Sequence, residues 1–102
     1  MSEFIPIAKL SELSITQGKA IKVKEHLIAL FLLEDGSVYA IENSCPHIGA
    51  PLDNGIIEGG ELTCLWHGWT FSLSNGESTN CPGVRVTTFP VRIQGDLIFI
   101  LI

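Results

Sequence analysis

The sequence predicts a mainly β domain, an antiparallel β sandwich or small barrel. Short runs rich in β-branched and aromatic residues alternate with turn signals, and no segment sustains the 3.6-residue period of an amphipathic helix. Gly, Asn and Asp tolerate the positive φ of tight turns, and such pairs lie where hairpin connections would fall, at residues 35–36, 75–76 and 95–96. The predicted strands are residues 4–8, 20–24, 27–33, 38–41, 62–64, 70–73, 87–93 and 97–101, with one short helical turn near Ser11.

Length and composition indicate a single domain over residues 1–102. A chain of 102 residues, 46% of them apolar, can form one hydrophobic core but not two. The 11 acidic and 6 basic residues give a net charge of −5, which argues against nucleic acid and anionic membranes and favours a basic partner surface. The N-terminus lacks a secretory signal, and the longest apolar stretch, residues 27–33, is too short to span a membrane. We therefore expect a cytoplasmic protein.

The middle of the chain departs from the strand pattern. Residues 43–60 are rich in Gly and Pro, whose fixed or unusual dihedrals do not suit a strand, and a second irregular stretch covers residues 72–83. Three cysteines cannot all pair, so disulfides are not expected to hold the fold together. We expect strands from both chain ends to carry a loop-rich insertion, with Cys81 as a free thiol.

Two short motifs in this insertion set thiolates beside imidazoles. Cys45 and His47 have Cys-x-His spacing, Cys64 and His67 have Cys-x2-His spacing, and 16 residues separate the two pairs. Thiolate and imidazole ligands select zinc, copper or iron–sulfur clusters over hard cations. From the residues alone two occupants stay open: one structural zinc ion held by all four side chains, or a 2Fe-2S cluster that takes one ligand from each loop on each iron.

The residues around these motifs resemble the cluster loops of Rieske iron–sulfur proteins. The resemblance rests on CPHIGAPL at residues 45–52, CLWHGW at residues 64–69 and the CPG turn at residues 81–83. It implies a Rieske-like antiparallel β sandwich with a small, loop-rich cluster-binding subdomain over about residues 43–84. It also implies one Rieske-type 2Fe-2S cluster, with Cys45 and Cys64 on one iron and His47 and His67 on the other.

The resemblance also bears on the redox potential. A 2Fe-2S cluster with two thiolates and two neutral imidazoles has a net charge of zero when oxidised and −1 when reduced, which eases reduction relative to an all-thiolate cluster. Rieske proteins of the respiratory and photosynthetic complexes add a disulfide and two hydroxyl donors, at positions held here by Ala50, Trp66, Trp69 and Phe71. With fewer donors to sulfur, we expect a potential near the low end of the Rieske range of roughly −150 to +300 mV.

The resemblance implies a one-electron carrier rather than an enzyme, since the 102 residues leave no room for a second domain with a substrate site. Rieske-type ferredoxins of this kind pass electrons from a flavin-dependent reductase to a terminal oxygenase. The alternative is the small Rieske subunit of an assimilatory nitrite reductase, although many such subunits lack ligands that are intact here. A structural zinc-binding interaction domain is a third interpretation.

Overall fold

The computed structural model describes residues 3–46, 49–66 and 68–102, and within them the chain forms ten strands and one short 3-10 helix. The strands are β1 (Phe4–Lys9), β2 (Lys19–Val23), β3 (His26–Leu32), β4 (Val38–Glu42), β5 (Ile56–Glu58), β6 (Glu61–Thr63), β7 (Thr70–Ser72), β8 (Thr88–Phe89), β9 (Val91–Gln94) and β10 (Leu97–Leu101). The 3-10 helix is Leu10–Glu12. All strand pairings are antiparallel, which confirms the predicted fold class.

The strands form three sheets. The terminal sheet has the order β1-β10-β9 and joins the two ends of the chain, with Phe4 opposite Leu101. The middle sheet has the order β2-β3-β4-β8, and the small sheet has the order β5-β6-β7. The two segments that carry the ligand motifs adjoin these sheets, because one follows β4 of the middle sheet and the other connects β6 to β7 of the small sheet.

Strand β3 presents an apolar side chain to the core on both of its faces. Ile28 and Leu30 belong to one buried cluster, together with Ile100 of the terminal sheet. Ala29 and Phe31 belong to a second buried cluster that includes residues of the small sheet. Successive side chains of a strand point to opposite faces, so the unbroken apolar run in the sequence reflects a middle sheet that is covered on both sides.

The predicted strands agree with the structure to within one or two residues, except in two places. Residues 87–93 were expected to form one strand, but Pro90 separates β8 from β9, because proline has no N–H to donate to a strand ladder. The short strand β5 was not predicted, since it spans three residues of a glycine-rich stretch. The helical turn expected near Ser11 is the 3-10 helix.

The three predicted tight turns reverse the chain, and their glycines have positive φ: Gly36 (90°), Gly76 (77°) and Gly95 (61°). In the first turn the Ser37 N–H donates to Asp35 Oδ1 at 2.9 Å. This backbone donor, with the Ser37 hydroxyl, lowers the pKa of the exposed Asp35 carboxyl. In the three described ranges of the chain, no helix has the length and apolar character needed to cross a membrane.

Candidate metal centre

Two six-residue loops carry the predicted ligand motifs. The first ligand loop, residues 45–50, has the sequence CPHIGA, and the second ligand loop, residues 64–69, has the sequence CLWHGW. Each begins with cysteine and has glycine as its fifth residue. The loops align on these two residues, so histidine is the third residue of the first loop and the fourth residue of the second.

The two loops close with the same pair of backbone hydrogen bonds. In the first ligand loop the Cys45 N–H donates to the carbonyl of Ala50 at 2.7 Å, and the Gly49 N–H donates to the carbonyl of Cys45 at 2.8 Å. The second ligand loop repeats both bonds between its corresponding residues, at 2.8 and 3.0 Å. Gly49 and Gly68 have φ of 75° and 73°, a conformation that glycine adopts without steric cost. Glycine at the fifth position therefore allows the closure.

This repeated closure buries the first residue of each loop. Cys45 is 0% exposed and Cys64 is 1% exposed. Both belong to the buried cluster that contains Leu62 and Phe71. The cysteines are thiols, and Cys81 is only half-buried. Two buried thiols on equivalent loops fit a centre that takes matching ligands from two loops, and soft sulfur donors suit iron–sulfur or zinc chemistry.

The two histidines of the motifs, His47 and His67, lie outside the described residues. Of the four predicted ligands, the structure therefore locates Cys45 and Cys64. Within residues 3–46, 49–66 and 68–102, no group of three or more His, Cys, Asp or Glu side chains is arranged to hold a metal ion. The ligand roles of the four residues stay predictions.

The second ligand loop turns apolar side chains toward solvent next to its buried cysteine. Leu65 is 53% exposed and Trp66 is 65% exposed. Trp69, at the end of the same loop, packs against the buried cluster, and Phe71 is fully buried within it. The loop thus has a buried base and an apolar, exposed tip.

Asn43 fastens the first ligand loop on both sides. Its Oδ1 accepts the N–H groups of Leu52 at 2.6 Å and Asp53 at 2.9 Å, and its Nδ2 donates to Asp53 Oδ1 at 3.0 Å. Its own N–H donates to the carbonyl of Leu27 in β3 at 2.8 Å. The side chain of Asn43 therefore joins the residues before and after the loop, and its backbone N–H ties them to the middle sheet.

A second asparagine, Asn80, lies farther along the chain and bonds to Gly68 of the second ligand loop and to Thr70, the first residue of β7. Neither asparagine was singled out from the sequence. The available signal was local: Asn43 stands two residues before a motif cysteine, and Asn80 directly precedes Cys81 in a turn-rich stretch. Asparagine side chains commonly bond to nearby backbone groups in such stretches, but the particular partners depend on the fold.

Comparison with known proteins decides between the interpretations. The family model of the Rieske 2Fe-2S domain matches residues 3–90, most of the chain. The chain belongs to the Rieske family. A Rieske-type 2Fe-2S cluster, rather than zinc, is therefore its cofactor.

Curated relatives of this Rieske domain include a ferredoxin and a larger oxygenase. The ferredoxin component of the naphthalene 1,2-dioxygenase system of Pseudomonas aeruginosa is 33% identical over 84 residues, which are 81% of this chain and 78% of the relative. The 4beta-methylsterol monooxygenase of Methylococcus capsulatus is 37% identical over 95 residues. That match covers 82% of this chain but only 26% of the monooxygenase, so the chain spans about a quarter of this relative.

Two solved structures of similar length share the whole fold. The ferredoxin of carbazole 1,9a-dioxygenase from Nocardioides aromaticivorans IC177 has a TM-score of 0.86 and 30% identity, with 95% of each chain covered. A protein described as an NADH-dependent nitrite reductase small subunit from Mycobacterium tuberculosis has a TM-score of 0.90 and 26% identity. That comparison covers 100% of this Rieske domain and 96% of the other chain.

Replacing Asn43 with alanine should destabilise the protein through the first ligand loop. The substitution leaves the Leu52 and Asp53 N–H groups without their acceptor, and each unsatisfied donor in a partly buried site costs about 1 to 3 kcal/mol. We expect a loss of about 2 kcal/mol in the free energy of unfolding, measured by denaturant titration. The matched control is Asn75→Ala, which removes one bond to Glu77 in an exposed turn. Equal losses for the two variants would contradict the role of Asn43.

Proposed function

We propose that this Rieske domain is a one-electron carrier that accepts an electron from a flavin-dependent reductase and passes it to a terminal oxygenase, with no catalysis of its own. The observation that carries the proposal is the pair of buried cysteine thiols on equivalent loops, one of which has an exposed apolar tip. Ferredoxin components of oxygenase systems, matched over about four fifths of this chain and of the relative, support it.

We assign the cluster ligands as Cys45, His47, Cys64 and His67, with residues 43–84 as the cluster-binding subdomain of a single domain. When bound, a 2Fe-2S cluster takes up and releases one electron. The chain supplies the surroundings: the apolar neighbours of Cys45 and Cys64 keep water from the thiolate side, and Asn43 holds the first ligand loop in place. Four fixed ligands limit the structural change between redox states.

The exposed tip of the second ligand loop is the proposed contact with redox partners. Trp66 and Leu65 lie within two residues of Cys64 and expose more than half of their surface. Aromatic side chains are enriched at the energetic centre of protein interfaces. The net charge of −5 favours a basic partner surface during encounter.

A cytoplasmic location is part of this proposal. The cluster needs reduced cysteines, and the chain also has a half-buried thiol at Cys81. A reducing compartment keeps such thiols from forming disulfides.

A second candidate function is that of a small subunit in a nitrite reductase-type enzyme. It is favoured by the close fit to the Mycobacterium tuberculosis structure, which spans the whole of this chain. The two functions share the cluster and its ligands and differ in the acceptor. Reduced protein mixed with an oxygenase or with a nitrite reductase catalytic subunit would separate them, because only the true acceptor oxidises it rapidly.

Cysteine variants should distinguish the ligand thiols from the third cysteine. The wild-type protein should contain two iron and two sulfide per chain, with visible absorption that bleaches on reduction. Cys64→Ser should lose the cluster, because its thiolate is an iron ligand in the proposal. Cys81→Ser is the matched control and should keep both iron and colour. Colourless wild-type protein with stoichiometric zinc would contradict the proposed function.

The midpoint potential should lie near the low end of the Rieske range of roughly −150 to +300 mV. Trp69 and Phe71 carry no hydroxyl group, so they cannot donate the O–H bonds to sulfur that stabilise a reduced cluster. Redox titration followed by visible absorption measures this value. A midpoint several hundred millivolts positive would contradict the explanation without affecting the ligand assignment.

Replacing Trp66 with alanine should slow electron transfer to the oxygenase and leave the midpoint potential unchanged. A central interface tryptophan contributes enough binding free energy that its loss weakens association about tenfold or more. The control is Leu97→Ala, which removes a side chain that is 42% exposed on β10, in a sheet without ligand loops. Stopped-flow rates at varied oxygenase concentration give the affinity, and equal effects of both variants would argue against this docking tip.

A further inference from the structure

The two ligand loops close with the same backbone hydrogen bonds, but the asparagine side chains that bond to them come from different parts of the chain. The first ligand loop is held by Asn43, which lies just before it in the sequence and bonds to residues just after it. The second ligand loop is held by Asn80, which lies eleven residues beyond the end of that loop at Trp69. The second ligand loop is therefore held by a separate part of the fold, residues 78–84. We call these residues the proline segment.

Asn80 bonds to the backbone on both sides of Trp69. Its Nδ2 donates to the carbonyl of Gly68 at 3.0 Å, and its Oδ1 accepts the N–H of Thr70 at 3.1 Å. Gly68 directly follows His67, a predicted ligand. The amide of Asn80 thus fixes the two peptides on either side of Trp69, which begin one residue after that histidine.

Hydrogen bonds within the proline segment close it into a turn. The Ser78 N–H donates to the carbonyl of Val84 at 2.9 Å, and the Val84 N–H donates to the carbonyl of Cys81 at 3.2 Å. The Ser78 hydroxyl accepts the N–H of Cys81 at 3.0 Å and also donates to Asn80 Oδ1 at 3.3 Å. These bonds hold the backbone on both sides of Asn80, so its side chain is preorganised for the second ligand loop.

A second contact joins the proline segment to β7. The Thr79 N–H donates to the carbonyl of Thr70 at 2.9 Å, and the hydroxyl groups of the same two residues are hydrogen-bonded. The segment therefore lies along the end of the second ligand loop through backbone and side-chain bonds. The side-chain amide of Asn80 adds a hydrogen bond from this segment to Gly68 of that loop.

We infer that Asn80 is a positioning residue for the redox centre, which latches the proline segment to the end of the second ligand loop at Gly68 and Thr70. The inference rests on the proposed ligand set. Hydrogen bonds around the ligands of a metal centre orient those ligands and tune the centre. Without the latch, water gains access to the cluster, and water stabilises the reduced, more negative form. The midpoint potential therefore becomes more positive.

The test compares Asn80→Ala with the matched control Asn75→Ala in the cluster-loaded protein. The Asn75 side chain accepts one backbone N–H, from Glu77, in a neighbouring turn. For Asn80→Ala we expect a more positive midpoint potential, altered g values in the electron paramagnetic resonance spectrum of the reduced cluster, and faster cluster loss to an iron chelator. For Asn75→Ala we expect wild-type values.

Identical potentials and g values for Asn80→Ala and Asn75→Ala would overturn the inference, since a merely structural side chain changes unfolding without changing the cluster spectrum. If Asn80→Ala does not fold, the pair Asn80→Asp and Asn75→Asp decides. The carboxylate retains the acceptor for Thr70 and loses the donor to Gly68. Measurement in about 1 M salt, where the Debye length is about 3 Å, suppresses the effect of the added charge. Altered g values confined to Asn80→Asp support the inference, and equal spectra overturn it.

Failure of the proposed function gives a different result. Wild-type protein that lacks a 2Fe-2S spectrum refutes the cluster assignment before any variant is compared. A normal wild-type spectrum with unchanged Asn80 variants refutes the positioning role alone.

Discussion

The burial of β3 on both faces is the constraint on which the rest of the structure depends. Ile28 and Leu30 need cover on one side of the middle sheet, and Ala29 and Phe31 need cover on the other. The terminal sheet provides the first cover. The central part of the chain provides the second cover, so hydrophobic burial holds the glycine- and proline-rich loops against the sheet.

That burial also determines where the thiols lie. Cys45 and Cys64 are part of the same cluster that covers Phe31, so the chemistry of the centre and the stability of the fold share one set of contacts. After each buried cysteine, the backbone turns away from the hydrophobic cluster, and two hydrogen bonds close the loop. Small rigid closures with side-chain braces are well suited to a redox centre, because a fixed ligand geometry reduces the rearrangement that accompanies each change of charge.

Much of the fold follows from the sequence because its signals are local. Turn pairs such as Asp35-Gly36 and alternating or continuous apolar runs locate most strands, and the spacing of Cys45, His47, Cys64 and His67 indicates a metal centre. The break at Pro90 separates strands that pair in different sheets, β8 with β4 and β9 with β10, and β5 is a three-residue strand in a glycine-rich stretch that gives no clear strand signal. The hydrogen bonds of Asn43 and Asn80 could not be predicted from the sequence either. An asparagine in a turn has many possible backbone partners, and only the tertiary structure selects among them.

The short path from Cys64 to Trp66 has a consequence for the distance an electron travels. Consecutive Cα atoms are about 3.8 Å apart, so the Cα atoms of these two residues lie at most about 7.6 Å from each other. Within that span the chain passes from an interior thiol to a side chain with 65% of its surface in solvent. In the proposed carrier, a redox partner that contacts Trp66 would therefore sit within two residues, along the chain, of the Cys64 ligand.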